Sequence, residues 1–361
     1  MVKYEPLNIK GKRLDIPIFQ GGMGVAVSRW LLAGSVAQEG GVGIISTAGL
    51  DRIVSKETGK EFNTYEAVAY EVARAKEFGD NGLIGVNIMV FLQKDRDSAA
   101  RGAIAAGADF IISGAGIPLD LPTIKDPGDT ALIPIVSSPR VLKIILEKWE
   151  RLGCRPDAIV VEGPLAGGHL GFKLSELEKP ENRLESLLRP IKDLARQHGN
   201  FPVIVAGGIY DKHDIQRLIN LGADGVQMGT RFLATKESGA SKAYKKAVVE
   251  SKKDEIIVVR NSPCGFPFRT LSTSPVYQDL INNRGRNTCD KGYLLQRDNE
   301  GNNTVCLAKN NPKDYFCICN GLLNSVGYQT GQNLYTVGAN AYRIKKILTV
   351  KELMNELKGL T

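Results

Sequence analysis

The 361-residue chain carries only 3 histidines, and one of them stands where proton transfer is feasible. His169 lies in Glu162-Gly163-Pro164-Leu165-Ala166-Gly167-Gly168-His169-Leu170-Gly171. Glycines beside it let the backbone approach a flat ligand while the imidazole projects into the space alongside, with an ordinary pKa near neutrality that suits a proton donor or acceptor. The other two histidines read as structural. His198 sits at a helix end, in Arg196-Gln197-His198-Gly199, where an imidazole suits the negative pole of the macrodipole, and His213 falls in a first helical turn after Asp211.

Two further clusters point to an anion. Ala206-Gly207-Gly208-Ile209-Tyr210-Asp211 and Gln227-Met228-Gly229-Thr230-Arg231-Phe232 each follow a short apolar run. Adjacent loops of this kind hold a phosphate through backbone N–H groups, and Thr230 adds a hydroxyl. Either cluster alone is equally a tight turn. Together they favour phosphate binding, and a phosphosugar, a pyridoxal phosphate or FMN would all fit.

Cysteine is the third chemistry-bearing type. Cys264, Cys289, Cys306, Cys317 and Cys319 are grouped late in the chain, while Cys154 stands alone near a helix end as a packing residue. Grouped thiols can bind a metal or an iron–sulfur cluster. The spacing here is irregular, with one close pair, Cys317-Ile318-Cys319, and no Cys-x-x-Cys, so reduced cysteines are expected and a metal centre is the alternative.

The elements that must position these groups are short and apolar. Eight runs, 16–20, 42–46, 83–90, 110–113, 131–136, 158–162, 202–206 and 225–228, are mostly continuous rather than alternating, as strands buried on both faces of a parallel sheet require. Helical patterns lie between several of them. Ser28 is placed to cap a helix over 29–38, Asn63 one over 64–78 ending at Gly79, and Ser138 with Pro139 one over 140–151 ending at Gly153. This alternation predicts an α/β fold, a (β/α)8 TIM barrel, with an open doubly wound sheet as the alternative. The glycine clusters all follow strands, so in a barrel they share one rim.

Beyond residue 238 the rhythm changes. A helix is expected over 237–252 and a short strand over 255–259, followed by an irregular polar stretch and a return to helical periodicity over 341–358. The expected organisation is therefore a barrel at 1–249, a smaller cysteine-containing lid at 250–333, and a C-terminal segment at 334–361 packing back on the barrel. A formal charge of +8 is spread along the chain without the aromatic-interleaved basic block of a nucleic-acid groove. No apolar run approaches a membrane span or a signal-peptide core, so no membrane association and a cytoplasmic location are expected.

Taken together, Pro17-Ile18-Phe19-Gln20-Gly21-Gly22-Met23-Gly24, Gly85-Val86-Asn87, Ser113-Gly114-Ala115-Gly116, Ala166-Gly167-Gly168-His169, Ala206-Gly207-Gly208-Ile209 and Gln227-Met228-Gly229-Thr230-Arg231-Phe232 make the chain resemble the nitronate monooxygenase (2-nitropropane dioxygenase) family, which includes the FMN-dependent enoyl-ACP reductases. The resemblance covers roughly residues 10–235, with a weaker echo over 338–357. It implies FMN with its ring near Gly22, Met23, Asn87, Ser113 and Gly114, flanked by Glu162 and Gly167. Gly207, Gly208, Gly229 and Thr230 would hold the phosphate beside Gln227 and Met228, and His169 would be the catalytic histidine. Leu165 departs from the pattern, since many relatives have a glutamate there.

The activity so implied is oxidation of alkyl nitronates with O2 to a carbonyl compound and nitrite. The alternative within the class is NAD(P)H-dependent reduction of an enoyl-ACP or quinone, for which Lys309, Lys313 and Arg269 would form a basic patch at the mouth. A non-catalytic flavin binder, or an electron carrier with a cysteine-bound metal, is the alternative from another class. Expected partners are a small-molecule substrate with O2 or NAD(P)H and no nucleic acid, and a homodimer is compatible with this reading.

Overall fold

The computed structural model describes residues 4–284, 296–297, 303–304 and 306–360. Eight parallel strands form one sheet: β1 (Ile18–Gln20), β2 (Gly43–Ser46), β3 (Ile84–Met89), β4 (Phe110–Gly114), β5 (Ala131–Val136), β6 (Ile159–Glu162), β7 (Val203–Ala206) and β8 (Gly225–Met228). All eight coincide with the apolar runs in the sequence. The order is β1-β8-β7-β6-β5-β4-β3-β2, and a parallel bridge between Phe19 and Val42 joins the ends. The sheet is a closed (β/α)8 barrel, and the open doubly wound alternative is excluded.

Both faces of the strands are dry. Phe19, Ile44, Phe110, Ile133, Val160 and Ile204 point inward and pack together, with Phe19 and Phe110 edge to face at 5.9 Å. The intervening residues Ile18, Ile45, Ile111, Ile159 and Val205 face the surrounding helices. Ile9 and Leu14, from a hairpin of Leu7–Ile9 and Lys12–Leu14, join the inner cluster and stopper the barrel opposite the functional rim.

Polar side chains set the strand ends. Asp109, Asp157 and Asp224 each precede a strand and accept an N–H at the start of the strand before it, from Ile84 at 2.8 Å, Leu132 at 2.8 Å and Val203 at 2.6 Å. Each also meets a lysine, Lys76 at 3.1 Å, Lys10 at 3.8 Å and Lys192 at 2.7 Å. At the seam between β1 and β2, Gln20 is wholly buried. Its Oε1 accepts the Ile44 N–H at 3.1 Å and its Nε2 donates to Ser28 Oγ at 2.7 Å.

That bond overturns the expected role of Ser28. Its hydroxyl accepts from Met23 N at 2.9 Å and serves the seam, while the helix Trp30–Gln38 starts at Arg29 without a side-chain cap. Asn63 caps Thr64–Phe78 through a complete capping box, and Ser138 caps Pro139–Glu150, as expected. Between β4 and β5 only a 3₁₀ turn, Leu121–Thr123, replaces a helix. The helix expected over 237–252 is confined to Lys242–Glu250, because Ser241 caps it and Gly239 lies where a Cβ would fall 2.0 Å from the Ala26 carbonyl oxygen. The expected run over 341–358 breaks into a 3₁₀ turn, Ala341–Arg343, and a helix, Val350–Lys358, capped by Thr349.

Past the barrel, β9 (Ile256–Val259) and β10 (Phe268–Leu271) form an antiparallel pair. β10 also pairs with the short strand Gly168–His169 from the loop after β6. Helices Pro275–Ile281 and Ile318–Ser325 complete this cover over the rim. No helix among the described residues is long and apolar enough to cross a membrane.

Gln20→Leu should keep the barrel's shape yet strand the Ile44 N–H and the Ser28 hydroxyl. An orphaned buried donor costs about 1–3 kcal/mol, so the urea midpoint should fall accordingly; an unchanged midpoint would show that the seam does not depend on this side chain.

Candidate active site

The rim at the strand C-termini encloses a cavity of about 490 Å³, within the range of small-molecule and cofactor sites. Loops or ends of all eight strands line it. Gly22 and Met23 come from the loop after β1, Asn87 from β3, Gly114 from β4 and Glu162 from β6. Gly22 is there for close approach: a Cβ would lie 2.3 Å from the Asn87 Cβ. Ser113 differs from the rest. It is fully buried in the barrel wall, donates to the Ile88 carbonyl at 3.2 Å and does not line the cavity.

At one end lie Gly207, Gly208, Gln227, Met228, Gly229 and Thr230. Gly207 and Gly208 have φ of 101° and 80°, which only glycine adopts without strain. The C-terminal segment closes over these loops. Gly338 N donates to Thr230 Oγ1 at 2.8 Å, Ala339 N to the Leu165 carbonyl at 3.0 Å, and Asn340 Nδ2 to the Gly208 carbonyl. Gly167 permits this contact, since its Cβ would fall 2.6 Å from the Val337 carbonyl carbon. Arg231 adds positive charge here, lying over Tyr210 at 4.5 Å and reaching Glu356 at 2.5 Å.

In the loop after β6, β10 holds His169 in register with Phe268, ring edge to face at 5.0 Å. Burial removes the hydration of an imidazolium, and no negative charge replaces it, so the His169 pKa is pushed down to about 4. This corrects the expectation of a near-neutral pKa: the imidazole is neutral at pH 7. Glu162 moves the other way. Burial raises its carboxyl to about 7 even though the charge of Arg269 opposes the shift.

Arg269 itself is only 7% exposed, and burial lowers its pKa to about 10 against the pull of Glu162. It is therefore withdrawn from the expected basic patch, while Lys309 and Lys313 are exposed but do not line the cavity. Composition alone could not separate it from surface arginines. The stretch Phe268-Arg269-Thr270-Leu271 carries no alternation that would mark it as buried.

The remaining wall is apolar. Phe91 and Phe266 stand 5.2 Å apart across the boundary between barrel and cover, with Ile117, Val141, Ile318 and Leu322 beyond them. Leu165, 46% exposed, brings an apolar side chain to the cavity and no carboxylate.

Three buried polar atoms of the lining residues, His169 Nε2, Gln227 Oε1 and Arg231 Nε, have no hydrogen-bond partner. Buried polar atoms are normally satisfied, so atoms left open around one cavity mark where a ligand completes the bonding. Their chemistry suits a flavin mononucleotide in outline, with a cation and flexible glycine loops at one end, an amide beside them, and a neutral imidazole over the open centre.

Among the described residues the cysteines form no metal-binding group with other ligating side chains. Cys264 Sγ meets Ser262 Oγ at 2.7 Å, Cys306 is buried and Cys319 lines the cavity. Cys289 lies outside the described residues. Among the described residues no group of three or more histidine, cysteine or acidic side chains is placed to hold a metal. His198 ends the helix Leu184–Gln197 and His213 lies in the first turn of Lys212–Asn220, both away from the cavity lining.

A family model described as nitronate monooxygenase matches residues 6–359. Among curated relatives, proteins named "Probable nitronate monooxygenase" from Staphylococcus aureus strains JH9 and Newman are 42% and 41% identical over 109 residues. That stretch is 29% of this chain and 28% of the length of those relatives. Among solved structures, FabK from Thermotoga maritima is similar with a TM-score of 0.69 at 24% identity, covering 95% of this chain and 92% of that one. Nitroalkane oxidase from Streptomyces ansochromogenes gives 0.65 at 19% identity, covering 96% and 95%.

The raised pKa of Glu162 has a signed consequence for stability. Folded, the carboxyl keeps a proton that the unfolded chain releases near its ordinary value of 4.5, so its contribution is complete below that pH and is lost as the pH rises through about 7. Glu162→Gln keeps a neutral side chain at every pH. The urea midpoint of this variant should gain on that of the parent from pH 4.5 to 8, and parallel profiles would show that Glu162 is ordinary.

Proposed function

The chain belongs to the nitronate monooxygenase family, and we propose that it is a flavin-dependent oxidoreductase that holds FMN in the rim cavity and oxidises alkyl nitronates with O2 to a carbonyl compound and nitrite. The observation that carries this reading is the unpartnered His169 Nε2, buried on a cavity that is also lined by the glycine loops after β7 and β8. We propose further that residues 250–333 act as the lid over a barrel of residues 1–249, with 334–361 returning to the barrel.

In this reading Gly207, Gly208, Gly229 and Thr230 bind the phosphate through backbone N–H groups and a hydroxyl, and Arg231 supplies the opposing charge. Gly22, Met23, Asn87, Gly114, Glu162 and Gly167 surround the ring, with Gln227 and Met228 between ring and phosphate. Ser113 supports the wall from behind. The flavin, when bound, supplies the capacity to take electrons from substrate, which no side chain of the cavity has.

His169 handles the proton. A neutral imidazole accepts one from the carbon next to a nitro group, and the nitronate so formed sits beside the new imidazolium and stabilises it, offsetting the burial that disfavours its charge. A substrate that arrives as a nitronate has already lost this proton, and His169 then holds it in place by hydrogen bonding. The cover strand β10 and the apolar wall keep water from the imidazole.

The apolar wall around Phe91 and Phe266 favours a second reading, NAD(P)H-dependent reduction of a quinone or an enoyl thioester. With Arg269 buried, Lys309 and Lys313 alone remain for a carrier protein to meet. Anaerobic mixing separates the two: bleaching of the flavin absorbance by nitronate but not by NADH supports the monooxygenase, and rapid bleaching by NADH supports the reductase.

Two variants check the assignment. His169→Ala should leave FMN content and fold intact while activity on a neutral nitroalkane falls about 100-fold or more, the usual worth of a general base, with a smaller loss on preformed nitronate; equal losses on both substrates would remove the proton-transfer role. Gly229→Glu places a carboxylate against the proposed phosphate and should yield colourless protein that FMN does not reconstitute, so normal FMN content would locate the phosphate elsewhere.

A further inference from the structure

The loop at 163–169 carries His169 but has little structure of its own. Its backbone bonds are Gly163 N to the Ala206 carbonyl at 2.9 Å and Ala166 N to the Gly163 carbonyl at 3.3 Å. The C-terminal segment adds one bond, Ala339 N to the Leu165 carbonyl at 3.0 Å, and the cover supplies the bonds around His169. Phe268 and Arg269 of β10 pair with His169 and Gly168, and Leu170 N donates to the Pro267 carbonyl at 2.9 Å. The Arg269 guanidinium then reaches under the loop, where Nη1 donates to the Pro164 carbonyl at 2.7 Å and to the Ala166 carbonyl.

We infer that Arg269 is a positioning residue, a clamp from the cover strand that fixes the loop at 163–169 and so aims His169 into the cavity. Burying a guanidinium is costly unless its donors are met. Here it is bonded to two neutral carbonyls two residues apart, and that spacing sets the curvature of the loop between them. Glu162, at the base of the same loop, supplies the opposing charge. The inference rests on the proposed role of His169 only in naming what is aimed.

The test follows the three histidines by NMR in the purified, flavin-loaded protein, with His198→Gln and His213→Gln giving the assignment. Burial is the one cause of the low His169 pKa, so the ring reports how closed the loop is. In the parent it should not titrate above about pH 5, given its pKa of about 4. In Arg269→Gln the midpoint should rise toward the ordinary 6.5. FMN content should hold, and kcat on a neutral nitroalkane should fall about 10- to 100-fold, as misplacement of a catalytic group does.

Arg269→Lys separates clamp from charge. Lysine keeps the positive charge but is one atom shorter than the Nη1 that makes both bonds, so a midpoint between those of parent and Gln variant supports the clamp. A parental midpoint in the Lys variant overturns it, whether the Gln variant is shifted or does not fold. So does a folded Gln variant with the parental midpoint. Failure of the parent to oxidise any nitroalkane or nitronate would refute the proposed function instead, and the NMR result would stand apart from it.

Discussion

Everything at the rim depends on the barrel being closed, and closure is completed by one buried amide. Neighbouring strands elsewhere share a ladder of backbone bonds, whereas β1 and β2 meet at the Phe19–Val42 bridge. Gln20 extends that seam by accepting the Ile44 N–H, then turns its Nε2 toward Ser28. The same hydroxyl receives Met23 N, so the loop that brings Gly22 and Met23 to the cavity is fastened by the residue that shuts the ring. Closure and site geometry are thus one network, because a parallel sheet left open would not place the β1 and β2 loops side by side.

The cavity's electrostatics follow from its dryness. His169 is held neutral and Glu162 is drawn toward its protonated form, while Arg269 is partly discouraged from charge. Burial is the first cause in each case. Such groups respond strongly to any charge that enters, so an anionic substrate or product would change their protonation more than a change of one pH unit in solvent. The resting site is poised by its walls rather than by ion pairs.

The strands were legible because continuous apolar runs such as Ala158-Ile159-Val160-Val161 have few other fates, and the glycine clusters after them identified the rim. Legibility failed wherever a polar side chain chose a tertiary partner over a local one. Ser28 has the form of a helix cap, yet its hydroxyl is taken by Gln20 and Met23. Arg269 has the form of a surface cation, yet two loop carbonyls hold it inside. Ser113 sits between cavity residues but faces the wall. The aspartates before β4 and β8 occur in Gly107-Ala108-Asp109 and Gly222-Ala223-Asp224, a local echo whose meaning emerges only when each is seen to hold the start of the preceding strand.

The contact of Gly338, Ala339 and Asn340 with Thr230, Leu165 and Gly208 bears on the order in which the protein is made. A chain emerging from the ribosome presents all eight barrel strands by residue 228, more than one hundred residues before the segment that completes the cradle. The nascent barrel is therefore open at the end that the finished molecule shuts. The residues that complete the cradle are thus among the last of the chain to be synthesised.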